Sequence, residues 1–209
     1  MSSGASRSSA NDGGPLLVVI SGPSGAGKDS VLARLRERKL PFHFTVTGTT
    51  RPKREVNPAD HEFLRFFSDH EFDRLLAEGG LLEHANVYGY RYGVPKAPVQ
   101  EALERGQDVI MRVDIQGADS IKRLAPGALL VFLKPSSLEE LEQRLRERRQ
   151  DGEEALRRRL EAATRELDAQ SRFDYVVVNE QDKLDEAVNR ILEIIETERA
   201  RPGRERVNL

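Results

Sequence analysis

Gly22-Pro-Ser-Gly-Ala-Gly27-Lys28 carries the spacing G-x-x-x-x-G-K, directly after an apolar run and directly before a helical one. Glycines at these places let consecutive backbone N–H groups turn inward toward an anion. The positive end of the following helix faces the same point, and the lysine ammonium can follow the outer phosphates of a nucleotide. The candidate nucleotide-binding set is therefore Gly22, Pro23, Ser24, Gly25, Ala26, Gly27, Lys28, Asp29 and Ser30. A glycine-rich turn without a ligand has the same composition, but the strand on one side and the helix on the other favour a phosphate cradle. One position departs from the pattern. The hydroxyl that usually follows the lysine and sits on Mg²⁺ is replaced by Asp29, and Ser30 lies one place further along the helix.

Thr47-Gly-Thr-Thr-Arg51-Pro-Lys-Arg54 places two arginines three apart behind a run of hydroxyls. That is a natural clamp for a second phosphate group, and equally the composition of an exposed basic loop. Further on, Glu83, Tyr88, Tyr90 and Tyr92 fall close together, and a glutamate among apolar neighbours needs a partner. Asp114 closes the apolar run Asp108–Asp114, at the carboxyl end of a strand, where open α/β sheets bind their ligands.

The elements that must hold these residues alternate between two periods. Leu16–Ser21, Phe42–Thr47, Asp108–Asp114, Ala128–Lys134 and Asp174–Val178 read as strands, most of them apolar enough to be covered on both faces. Between them Val31, Leu32 and Leu35 mark one helix face over about 28–38. Ser68 and Glu71 form a capping box for a helix stopped near Gly79, and Ser137 with Glu140 signals another. A charged helical stretch covers about 153–167, and Leu184, Val188, Ile191, Leu192 and Ile195 line a closing helix. Strands alternating with helices predict an α/β domain with a mostly parallel sheet flanked by helices. Residues about 47–95 interrupt the rhythm and read as an insert over one edge of the sheet.

The chain has 209 residues, enough for one domain. It has no cysteine and four histidines, which excludes a disulfide framework, a thiol nucleophile and thiolate metal sites. Lys and Arg number 33 against 35 Asp and Glu, so no global field draws it to nucleic acid. No apolar run approaches a membrane span of about 18 residues and no signal segment follows Met1, so a cytoplasmic protein is expected. Residues 1–14, all small or polar apart from Met1 and Arg7, predict a disordered tail. Residues 199–209, rich in arginine and broken by Pro202 and Gly203, predict a frayed one.

Over nearly all of 16–198 the chain resembles the guanylate kinases, through the GPSGAGK loop, TTRPKR, LLEHANVYGYRYG, VDIQG and the RLRER…RRRL arginines. The resemblance implies a P-loop nucleoside monophosphate kinase fold over 15–198, with a GMP-binding insert at about 47–95 and a helical lid at about 144–165. It implies ATP and GMP (or dGMP) as small-molecule substrates, Mg²⁺ as the ion, and Gly22 to Ser30 as the ATP site. Lys28, Arg148 and Arg159 match catalytic positions. Arg51, Arg54 and Tyr92 match residues that hold the GMP phosphate. Thr47 stands where the family has a serine beside guanine, and Glu83 and Asp114 match the two acids that read the base. His61 stands for a phosphate-binding tyrosine on one placement of the gap, and Leu64 takes that place on another.

Arg112 replaces a second acid of the strand that ends at Asp114, just as Asp29 replaces the hydroxyl of the loop. Asp29 is thus either a metal ligand or the partner of Arg112. Two other classes share parts of the pattern. Ribose 1,5-bisphosphate phosphokinases resemble the chain at Gly-Lys-Asp-Ser but have no base for Glu83 and Asp114 to read. Guanylate kinase-like binding modules have typically lost the lysine that this chain keeps at Lys28.

Overall fold

A computed structural model of the protein describes residues 14–53, 63–87, 89–147 and 153–209. The strands are β1 (Leu17–Ser21), β2 (His43–Phe44), β3 (Thr47–Thr49), β4 (Leu64–Phe66), β5 (Leu81–Val87), β6 (Tyr90–Pro95), β7 (Val109–Arg112), β8 (Leu129–Lys134) and β9 (Tyr175–Val178). The helices are α1 (Lys28–Glu37), α2 (Asp69–Ala77), α3 (Lys96–Glu104), α4 (Ile115–Leu124), α5 (Leu138–Glu147), α6 (Glu153–Leu167) and α7 (Leu184–Ala200). A 3₁₀ turn, Asp168–Arg172, follows α6.

Every side chain of β1 is buried, so both of its faces need cover. It receives this at the centre of a five-stranded parallel sheet of order β2-β7-β1-β8-β9. Alternation along the strand divides the core in two. Val18 and Ile20 pack with Val31, Leu32 and Leu35 of α1 and Val188, Ile191 and Ile195 of α7. Leu17 and Val19 face Val99 and Ala102 of α3 and Ala118 and Ile121 of α4. Truncating one of these large residues to Ala costs about 2–5 kcal/mol. The layer matters to function because β1 and β7 end side by side, with Ile20 in register with Arg112.

A second sheet, ordered β4-β3-β6-β5, is built between Thr47 and Pro95. Its β3–β4 pair is parallel, and β3–β6 and β5–β6 are antiparallel. Tyr92 pairs with Thr49 on one side and Ala85 on the other. Glu83, Ala85 and Val87 alternate to a common face of β5 and line one cavity. Helix α2 backs this sheet. Its capping box is complete: Glu71 N–H donates to Ser68 Oγ at 3.2 Å, and Ser68 N–H donates to the Glu71 carboxylate at 2.7 Å. Phe72 is buried beneath the Arg91 guanidinium, 4.7 Å from its ring centre, and Arg91 also pairs with Asp69 and Asp73.

Two local expectations need correction. Ser137 Oγ does accept the Glu140 N–H at 3.2 Å, but the Glu140 carboxylate takes the Ser136 N–H at 3.0 Å rather than that of Ser137. The other oxygen of the same carboxylate pairs with the guanidinium of Arg144, one turn on. The last residues do not fray. The chain turns at Pro202 and Gly203 (φ +66°), and Val207 and Leu209 rejoin the core layer of Leu17 and Val19. Gln100 Nε2 donates to the Leu209 carbonyl at 2.9 Å, and Arg204 donates to Gly14 O at 2.5 Å. Two apolar residues beyond the turn thus outweigh the charged composition that suggested fraying. The expected tail lies outside the described residues up to residue 13.

Candidate active site

The turn from β1 to α1 is bent by glycines that no other residue could replace without strain. Gly22 has φ +144° and Gly27 φ +89°. A Cβ at Gly22 would collide with the Leu133 carbonyl, and one at Gly27 with the Asn179 amide. That amide, in the loop after β9, donates to Ala26 O at 2.9 Å. Arg144 of α5 reaches the same oxygen at 3.4 Å and holds the Asn179 carbonyl at 2.7 Å. Lys28 Nζ folds back onto the loop, donating to Gly22 O at 2.5 Å and Pro23 O at 2.9 Å. Ser24 N–H donates to the Glu166 carboxylate at 3.2 Å.

Beyond the loop lies a cavity of about 210 Å³, shared by the two sheets. Its walls include Gly22, Ser24, Gly25, Gly27, Lys28 and Asp29 on one side, and Thr47, Glu83 and Tyr92 on the other, with Arg112, Asp114 and Glu166 between. Asp114 is the N-cap of α4: its Oδ1 accepts the Gly117 N–H at 2.7 Å, and the residue lines the cavity. Glu83 approaches the same turn, and a Cβ at Gly117 would lie 2.9 Å from Glu83 Oε2 and 3.1 Å from Asp114 Oδ1. Burial, and secondarily the Asp114 carboxylate, push the Glu83 carboxyl up to about 8. Burial also raises Glu166, opposed by Lys28 and by the Ser24 N–H.

Arg112 and Asp29 form an ion pair across the ends of β7 and α1. Among the described residues, no three His, Cys, Asp or Glu side chains gather as a metal cage. The donor set instead suits an ion that arrives with its own phosphate and water ligands, since Mg²⁺ keeps several waters and takes only one or two carboxylates.

The cavity unites Gly22, Ser24, Gly25, Gly27, Lys28 and Asp29 with Thr47, Glu83, Tyr92 and Asp114. Pro23 and Ala26 are buried within the loop, and Ser30 is exposed on α1 away from the cavity wall. Arg51 is buried beside β3, its guanidinium donating to Pro52 O and lying 5.9 Å from the Phe66 ring, but it does not line the cavity. Arg159 sits half-buried on α6, also off the wall. Arg54, His61 and Arg148 lie outside the described residues. Leu64, the alternative to His61, opens β4. Glu166 and Asn179 join the loop without any sequence motif that points to them. In sequence Glu166 is one more acid on a charged helix, and nothing in its spacing separates it from the solvated ones.

A parallel sheet with a phosphate loop after its central strand, and a base-sized cavity against a second small sheet, defines a P-loop nucleoside monophosphate kinase fold. Comparison with known proteins narrows this. The guanylate kinase family model matches residues 15–198. The chain is 45% identical to the guanylate kinase of Thermus thermophilus over 190 residues, covering 90% of this chain and 84% of that one. It is 48% identical to the guanylate kinase of Gloeobacter violaceus over 181 residues, covering 84% and 86%. The crystal structure of guanylate kinase from Anaplasma phagocytophilum superposes with a TM-score of 0.76 at 28% identity, covering 92% and 90%. The chain belongs to the guanylate kinase family and is a phosphotransferase. Among the described residues, no helix is long and apolar enough to cross a membrane.

Proposed function

We propose that the protein transfers the terminal phosphoryl group of ATP to GMP, and to dGMP, releasing ADP and GDP or dGDP. The observation that carries this is one cavity holding both the phosphate loop and the Glu83–Asp114 pair. Guanine presents N1–H and N2–H₂ donors, which adenine does not offer in that arrangement, and carboxylates accept them. Thr47, also on the wall, adds a hydroxyl beside the base.

In the reaction an oxygen of the GMP phosphate attacks the γ-phosphorus in line, and the bond to the β–γ bridging oxygen breaks. Catalysis is mostly positioning and charge stabilisation. Lys28 leaves its loop carbonyls for the transferring phosphoryl group. Arg51, Arg54 and Tyr92, with His61 or the residue that replaces it, hold the acceptor phosphate. Arg148 and Arg159 close from the lid over the charge that develops. Asp29 would hold Mg²⁺ directly or through water, unless it serves only as the partner of Arg112, and the ion would supply charge neutralisation for the polyphosphate.

Phosphoryl transfer from ATP is to be assayed with GMP, AMP and ribose 1,5-bisphosphate in parallel. Turnover confined to GMP and dGMP supports the proposal. Equal rates with GMP and AMP, or turnover of the ribose bisphosphate alone, sink it.

A further inference from the structure

Glu166 takes a place in the site that phosphate transfer does not call for. It belongs to the last turn of α6, yet its carboxylate accepts the Ser24 N–H inside the phosphate loop at 3.2 Å. It lines the same cavity as Lys28, Asp29, Arg112 and Asp114. Consecutive loop N–H groups form a concave nest that favours an anion, and Glu166 supplies one. Its neighbours agree with that role: Lys28 and the Ser24 N–H favour its charge, and Asp114 and burial oppose it.

A carboxylate resting there and a polyphosphate cannot share the nest. They compete for the same N–H, and their like charges repel across a partly desolvated cavity. Arg159 stands seven residues earlier on the same helix, about two turns away. Release of Glu166 from Ser24 therefore removes a direct link between the phosphate loop and the helix that carries Arg159, leaving that helix on its apolar packing against α5.

We propose that Glu166 is a tethered stand-in for phosphate: it occupies the Ser24 N–H while the loop is empty, and the arriving nucleotide displaces it, so that filling the loop releases α6 to move. The tether has a cost to nucleotide affinity, and it keeps the lid helix in one place until a nucleotide arrives. This rests on nucleotide phosphates entering the loop, and the test separates the two claims.

ADP binding is measured by calorimetry without metal for the wild type, Glu166→Gln and Glu166→Ala, with GMP binding as the control. Loss of a full negative charge beside the polyphosphate should tighten ADP by about fivefold or more in both variants, less at high salt. GMP should change by less than about twofold, since its base lies against Glu83 and Asp114. The shorter Glu166→Asp keeps the charge and withdraws it from Ser24, so its ADP affinity should fall between. A second readout uses the absence of cysteine from the chain. Dyes on Arg157→Cys of α6 and Arg190→Cys of α7, both exposed, report the distance between helices. In the Glu166→Gln background this distance should be broadened or shifted before any nucleotide is added; in the wild-type background it should shift only with ADP. Unchanged or weaker ADP binding in the Gln and Ala variants, while the wild type binds ADP normally, overturns the tether and leaves the kinase reading intact. No ADP binding to the wild type would overturn both.

Discussion

Arg112, at the end of β7, pairs directly with Asp29 in the first turn of α1. Neither is free in solvent, with side chains 18% and 33% exposed. The phosphate loop and the end of the neighbouring strand therefore meet in space through these two side chains, and each charge is offset by the other. Removing one partner leaves a partly buried charge uncompensated, which is the damaging change. Asp29→Ser alone should lower kcat/KM by about tenfold or more, because Arg112 is then left facing the loop. Adding Arg112→Asp should restore much of the loss. The four proteins of that cycle are compared by kcat and by Mg²⁺ dependence. Losses that simply add, with no recovery in the double variant, would show that the pair is not a functional unit.

The donor and acceptor phosphates should separate by mutation. Lys28 touches the loop carbonyls through its ammonium, ready to exchange them for the transferring group. Lys28→Ala should lower kcat by about a hundredfold or more with little change in the KM for GMP. Arg51 is buried near β3 rather than on the cavity wall. Arg51→Ala should instead raise the KM for GMP. Steady-state kinetics with each substrate varied in turn distinguishes the two. Wild-type turnover in both variants would contradict the assignment of the sites.

The core strands were legible because β1, β7 and β8 are continuous apolar runs, and a strand covered on both faces has little choice of composition. The cradle was legible because its glycines are demanded by backbone geometry. The insert was not: β4, β5 and β6 are short, carry charges such as Arg65, Glu83 and Arg91, and owe their pairing to each other rather than to local propensity. Helix α4 was hidden because Asp114 looked like the end of a strand when it is also the cap of a helix. Glu83, Asp114 and Arg112 could be named as site residues from motif order. That Glu166 comes back to Ser24 across 142 positions could not, because no local period encodes it.

Gly117 offers a test of the wall between the two acids. It lies in the first turn of α4, with Glu83 Oε2, Val113 Cβ and Asp114 Oδ1 all about its missing side chain. Gly→Ala in a helix ordinarily stabilises, by about 1 kcal/mol. Here the added methyl meets the Val113 side chain at 2.9 Å and both carboxylates, so Gly117→Ala should lower the melting temperature and weaken GMP more than ADP. A variant with unchanged GMP affinity would mean that the acids do not need their present spacing.

Glu83 makes the strongest pH prediction. The residue is 6% exposed, and its carboxyl is raised to about 8, by burial first and by Asp114 second. In the unfolded chain the same group has its ordinary value of 4.5. Folding therefore strengthens proton binding at this site. The associated stability is fully present below about pH 4.5 and is lost as pH rises toward 8. Without nucleotide, the wild type should melt at progressively lower temperature across that window, and Glu83→Gln should remove this part of the slope. Guanine reverses the preference of the site, because its N1–H and N2–H₂ donors are best met by an ionised carboxylate. At pH 7 Glu83 is largely protonated in the empty site, so GMP binding should release close to one proton. Calorimetry in two buffers of different ionisation enthalpy measures that number directly. GMP affinity should rise between about pH 6 and 8, while ADP affinity should not follow the same curve. Proton release in the wild type that persists undiminished in Glu83→Gln would assign the proton to another group and remove Glu83 from the reading of the base.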